Sequence, residues 1–193
     1  MRIFKVAIGL AAVLAGPMLG HGAMAQNAQQ AEDDLASKII SIPNPNAYRV
    51  DGVRTGARVR ADSAVQFGRA LRVPVPGRNE QTWTVAVAVP INRAVAAGDN
   101  LILAFWARLE EGENGATTAE LPYNSVQMAG APYTALFHGG VTISREWRLY
   151  QVRGRADRDY AAGALNVSLH LATGRQTIDI GPVIVLDMGQ GGS

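Results

Sequence analysis

Period-two alternation of apolar and polar side chains, recurring in run after run, limits the fold of this chain more than any other feature. In LILAFWARLE (101–110), Leu101, Leu103, Phe105 and Ala107 fall on one side. Ile102, Ala104, Trp106 and Arg108 fall on the other, because successive side chains of a strand point to opposite faces. ALNVSLHLAT repeats the pattern, with Leu165, Val167, Leu169 and Leu171 inward and Asn166, Ser168 and His170 outward. In RALRVPVPG, Leu71, Val73 and Val75 oppose Arg72 and Pro74, and Pro74 lacks an N–H for a ladder, which places it at an edge or a bulge. WTVAVAVP puts Trp83 in phase with Val85, Val87 and Val89, so the indole is expected in the core. TAELPYNSVQM, GVTISREWRLYQVRG and RQTIDIGPVIVLDMG complete the set of strands. Gly, Pro, Asn and Asp separate these runs at spacings of about 8–15 residues, the pattern of an antiparallel sandwich. Only INRAVAAGDN has room for a helical turn. The fold class is all-β, an antiparallel sandwich.

The two ends are expected to stand outside that fold. Residues 1–25 have a basic start (Arg2, Lys5), an apolar run broken by glycines and Pro17, and Ala23-Met24-Ala25 as a small-x-small cleavage site. They read as a secretory signal, too short and glycine-rich for a comfortable membrane span, so the protein is expected to be periplasmic or secreted, with cleavage before Gln26. QNAQQAEDDLASK lacks an apolar stripe and reads as a mobile leader rather than a helix. The expected organisation is 1–25 signal peptide, 26–45 leader or linker, 46–188 sandwich and 189–193 flexible tail.

Loss of the signal removes Arg2 and Lys5 from the 18 basic residues and leaves 16, against 16 acidic ones. A neutral chain indicates neither nucleic acid nor an anionic membrane as partner, and a monomer is expected. There is no cysteine, so neither disulfides nor thiol chemistry are available. After the signal only His138 and His170 remain to supply imidazole, which is poor provision for zinc. No G-x-S-x-G elbow, phosphate loop or H-E-x-x-H helix occurs. Glu110, Glu111, Glu113, Asp157 and Asp159 sit in turn sequences, where a rigid catalytic carboxylate pair is not built. Asn166-Val167-Ser168 matches a glycosylation sequon but falls within a strand run.

From Arg69 to Met188 the sequence carries a series of landmarks: G-R-A-L-R-V, Trp83 opening a strand, A-A-G-D-N-L-I-L-A-F-W-A-R, A-P-Y, R-E-W-R-L-Y-Q-V, L-N-V-S-L-H-L and Q-T-I-D-I-G-P-V-I-V-L. In order and spacing these resemble carbohydrate-binding modules of families four, nine and twenty-two. The resemblance implies a jelly-roll sandwich of the galactose-binding-domain type that is not an enzyme. Such a module binds cellulose- or xylan-like polysaccharide in a groove, as an accessory to glycoside hydrolases or esterases. It departs from the family where an acidic pair commonly precedes the last strand: Gly181-Pro182-Val183 stands there, with Asp179 and Asp187 the nearest carboxylates. A structural calcium would have to use those two or backbone oxygens.

Sugar rings offer C–H patches to aromatic faces and hydroxyls to planar polar groups. Trp106 as platform, Arg108 and Gln127 as polar partners, and Tyr133 and His170 at the rim are therefore the candidate binding residues. Trp106 has an alternative role, packing under a loop or the leader. Trp147 reads as a structural landmark of the family and lies on the strand face opposite Tyr150, and His138 beside Gly139-Gly140 reads as a loop residue. The competing function is an envelope protein-interaction or scaffold domain on the same sandwich, and a glycoside hydrolase ranks below both.

Overall fold

The computed structural model describes Gln30 and residues 33–191, so the signal peptide expected over residues 1–25 lies outside the described residues. Residues 33–37 are helical rather than a mobile leader, with Ser37 Oγ donating to the Asp34 carbonyl at 2.6 Å. No helix among the described residues is long and apolar enough to cross a membrane.

From Ile40 onward the chain is an antiparallel sandwich of two five-stranded sheets. The strands are β1 (Arg49–Asp51), β2 (Arg58–Ala61), β3 (Arg69–Val75), β4 (Ala86–Pro90), β5 (Asn100–Glu111), β6 (Thr118–Met128), β7 (Ala135–Ser144), β8 (Arg148–Arg155), β9 (Leu165–His170) and β10 (Gln176–Asp187). The first sheet runs β2-β3-β10-β5-β8 and the second β1-β4-β9-β6-β7. The expected inward faces meet between them: Leu101, Leu103, Phe105 and Ala107 of β5 pack with Val87, Val89, Val167 and Leu169 in one core. Pro74 lies toward the end of β3, opposite Thr177 of β10.

Four expectations are corrected. GVTISREWRLYQVRG is not one strand: the chain turns at exposed Arg145 and Glu146, leaving the second sheet as β7 and entering the first as β8. INRAVAAGDN forms no helix, because Val95 bridges to Tyr160 and Asp99 Oδ2 accepts the Ala96 N–H at 2.8 Å. Gly189 and Gln190 are tied down, since Asn100 donates twice to the Gly189 carbonyl and Gln190 Nε2 donates to the Ala97 carbonyl at 2.8 Å. The sandwich also begins before residue 46. Ile40 is buried in the core and donates its N–H to the Val185 carbonyl at 2.9 Å, beyond the point where β3 stops pairing with β10. Ser41 Oγ bonds Val183 O and Val185 N there, and Ser41 itself bridges to Ile91, so this segment joins both sheets.

Candidate functional site

The expected site residues divide between two faces that look away from each other. Trp106 and Arg108 lie on the outer face of the first sheet, whereas Gln127 and His170 lie on the outer face of the second. Tyr133 sits in the β6–β7 connection, 53% exposed. The structure therefore does not assemble these five into one groove.

The outer face of the first sheet is filled by charge. Asp179, fully buried, accepts from Arg72 Nε at 2.8 Å, Arg72 Nη2 at 2.9 Å, Arg108 Nε at 3.0 Å and Arg108 Nη2 at 2.9 Å. Arg60 Nη1 stands 3.6 Å from the same carboxylate, and Glu110 and Asp62 close the cluster. Burial alone would push the Asp179 carboxyl up, but the hydrogen bonds from Arg72 and Arg108 outweigh it and hold the group below the usual carboxylate range. Arg108 further lies 5.1 Å from the ring centre of Trp147, a cation–π contact that gives that indole its structural role. Trp106 is half-buried beside Gly181, where a Cβ would come within 2.6 Å of Val65 Cγ2 and 2.9 Å of Trp106 Cβ. Val65 of the β2–β3 connection and the Cβ of Trp106 therefore both crowd Gly181, and the indole stands on the same face as the Arg–Asp cluster.

The same geometry decides the calcium question. Asp179 is saturated by guanidinium groups and is unfit as a cation ligand. At Gly181-Pro182 the β5–β10 pairing shifts register, and the Tyr48 hydroxyl fills the gap, donating to the Gly181 carbonyl at 3.3 Å and accepting the Val183 N–H at 2.8 Å. Asp187 is committed elsewhere: its Oδ1 accepts the Gly189 N–H at 2.8 Å, and burial with nearby Asp99 raises its pKa. No group of three or more His, Cys, Asp or Glu suited to a metal occurs among the described residues. The residues present do not fit a calcium ion.

The outer face of the second sheet is different in kind. Trp83, expected in the core, is 55% exposed, because Thr82–Thr84 form a 3-10 turn and strand pairing begins only at Ala86. Thr84 donates both its N–H and its hydroxyl to the Gln81 carbonyl, which rotates the indole outward. From Trp83 a row of rings crosses the sheet. His170 on β9 follows at 6.3 Å, Tyr123 on β6 stacks on it at 4.5 Å, and His138 on β7 stacks on Tyr123 at 4.4 Å. His138 is therefore a strand residue, not a loop one. A bulge between Leu121 and Asn124 turns Tyr123 outward, and Pro122 within it supplies no N–H. Beneath the rings is a low polar floor of Ser125, Gln127 and Ser168, all buried, with half-buried Asn166 beside them.

These side chains are oriented. Ser125 Oγ donates to Gln127 Oε1 at 3.0 Å, which leaves the Gln127 amide hydrogens as donors. Thr82 Oγ1 lies 3.2 Å from His170 Nδ1, and burial pushes the His170 pKa down to about 4, so the imidazole is uncharged near neutrality. Tyr123 has an imidazole against each face at nearly parallel tilts of 19° and 20° and presents only its edge, so the open aromatic plane is that of Trp83. Tyr133 is at the far end of the strands, where Ala129 N–H bonds the Ala164 carbonyl, roughly 13 Å or more along β9 from His170. Half-open clefts lie at the end of the sandwich around the β5–β6 loop, one of them beside Thr82 and Pro122. The ring-lined face is an open surface.

This architecture is shared with solved carbohydrate-binding modules. A structure described as a family-four module superposes with a TM-score of 0.53 at 16% identity, covering 75% of this chain and 96% of that one. The family-22 xylan-binding domain of Paenibacillus barcinonensis Xyn10C gives 0.52 at 10% identity, covering 80% and 94%. The second N-terminal cellulose-binding domain of Cellulomonas fimi β-1,4-glucanase C gives 0.53 at 16%, covering 79% and 93%. No protein-family model matches the sequence, and no curated protein matches it. The fold is the β-sandwich of carbohydrate-binding modules.

Proposed function

We propose that this protein is an exported, non-catalytic glycan-binding protein whose site is the outer face of the β1-β4-β9-β6-β7 sheet. The observation that carries this reading is exposed Trp83 at the head of the His170–Tyr123–His138 row, above an uncharged polar floor. A sugar ring laid on the indole buries C–H surface, while Gln127, Asn166 and the ring edges exchange hydrogen bonds with its hydroxyls. No residue in this row is placed as a nucleophile, and its imidazole His170 is held neutral by burial rather than by a carboxylate partner. Xylan- and cellulose-binding domains of the same fold make β-linked polysaccharide the first ligand class to try, and an accessory role beside a separately secreted hydrolase or esterase fits a chain read as exported.

The experiment is affinity electrophoresis against a panel of soluble β-glucans, xylans and mannans, with Trp83→Ala and Trp106→Ala as a matched pair. Retention by wild type, lost in Trp83→Ala and kept in Trp106→Ala, is the expected result. The reverse pattern would return the site to the first sheet, and no retention on any glycan would remove the function.

A further inference from the structure

Next to the head of the ring row the sandwich end opens into a cleft of about 910 Å³, at the upper part of the range for small-ligand sites. Three connections wall it: the segment after β3, the β5–β6 loop with the first residues of β6, and the β9–β10 turn. It adjoins the ring row at two places. Thr82, which lines it, bonds His170, and Pro122, which also lines it, precedes Tyr123. We infer that the glycan bound on the sheet is a branched one, and that this end cleft takes up a neutral monosaccharide branch. This rests on the glycan-binding reading above and adds the ligand's architecture to it.

The lining sets the chemistry. The Arg78, Glu80, Asn114 and Thr118 side chains have no protein partner among the described residues and remain available to hydroxyl groups. No aromatic ring lines the cleft, so it lacks the stacking plane that Trp83 gives the main chain of the ligand. Arg78 is its one basic lining residue against Glu80, Glu113 and Glu120, an acidic excess that repels uronic acids and other anionic branches. Two acidic oxygens are already occupied: Glu113 Oε2 accepts the Arg175 N–H at 3.3 Å and Glu120 Oε1 accepts the Thr142 hydroxyl at 2.7 Å. What remains suits the dispersed hydroxyls of a pentose or hexose.

Calorimetry with matched oligosaccharides of equal backbone length tests this, pairing unsubstituted with arabinose-substituted xylo-oligosaccharides and unsubstituted with galactose-substituted manno-oligosaccharides. The protein is the full chain in wild-type form and as the double variant Glu80→Ala/Thr118→Val, both side chains being exposed and without a hydrogen-bond partner among the described residues. In at least one pair, wild type is expected to bind the branched member about five-fold tighter or better, the worth of a hydrogen bond or two. The double variant is expected to bring that ratio to about one. Equal or weaker affinity for the branched members overturns the inference while leaving the main site standing. So does a double variant that keeps the ratio, including by losing both ligands in proportion. If wild type binds no member of either pair and no glycan of the wider panel, the glycan-binding reading itself fails and takes this one with it.

Discussion

The two outer faces of the sandwich are built from the same strand geometry and spend it in opposite ways. On the first sheet, Arg60, Arg72 and Arg108 converge on Asp179, Asp62 and Glu110, and every charged partner is found within the protein. On the second, rings stand over buried serines and amides, and no protein acceptor among the described residues meets the Gln127 amide hydrogens. A face that satisfies itself stabilises, and a face left partly unsatisfied is free to bind. The difference places Arg108 of the most function-like pair in the sequence, Trp106 and Arg108, within a charge cluster, while an indole that alternation assigns to the core, Trp83, is exposed.

The comparison breaks most visibly at Asp179. Asp179→Ala removes the buried carboxylate on which Arg72 and Arg108 converge, leaving only Asp62 and Glu110 to oppose the guanidinium groups, and is expected to cost about 3 kcal/mol in urea unfolding, while folded protein still binds glycan. A variant as stable as wild type would mean that the charged face is as idle as any solvated surface. Acid should act next. The His170 pKa of about 4 in the folded protein lies below its unfolded value, so between those two pH values the unfolded chain binds more protons. Stability contributed by the neutral imidazole is full above about pH 6.5 and declines as pH falls toward 4, by up to about 3 kcal/mol. His170→Gln should flatten that part of the stability profile in urea titrations across this range.

Trp106 and Trp83 sharpen the contrast at a smaller scale. Trp106→Ala is expected to lower stability by about 2 kcal/mol through lost packing and to leave glycan retention as it was. Trp83→Ala is expected to change stability by no more than about 0.5 kcal/mol and to weaken binding by about 1–3 kcal/mol, read by calorimetry. The smallest effect belongs to His138, the exposed end of the stack. His138→Ala should weaken binding by roughly 0.5 kcal/mol, through loss of one face contact to Tyr123.

Alternation made the core legible: it separated Leu101, Leu103, Phe105 and Ala107 from Ile102, Trp106 and Arg108 correctly, because face is a purely local property of a strand. It gave no information on which sheet a strand joins, and so Arg108 and Gln127 read as neighbours although they lie on opposite sides of the molecule. The run GVTISREWRLYQVRG looks continuous because the switch between sheets costs only a short turn of polar residues. Trp83 was misplaced by extending the alternation of β4 three residues too early. The polar stretch Asn79–Thr82 was the available signal, since Asn79 Oδ1 accepts the Gln81 N–H to start a turn. Tyr123 had a signal too, Pro122, whose missing donor marks the bulge that reverses the phase of β6. The stack of two imidazoles about one phenol had none, as it depends on three strands distant in sequence.

The short bridge through Ile40 and Ser41 has a consequence for how the domain behaves in a crowded solution. Beyond Ile180, β10 has β5 on one side only, and the amide and carbonyl groups of Val183 and Val185 would otherwise face outward as an open rung. The Tyr48 hydroxyl takes the Val183 N–H, and the Ser41 hydroxyl and the Ile40 N–H occupy the other three. A protein shortened to begin at residue 46 would keep nearly all of its core and the ring-lined face. It would also uncover a hydrogen-bonding edge on a strand rich in Ile and Val, a template for strand addition from a second molecule. Truncation to residue 46 is therefore expected to raise self-association, read by light scattering at rising protein concentration.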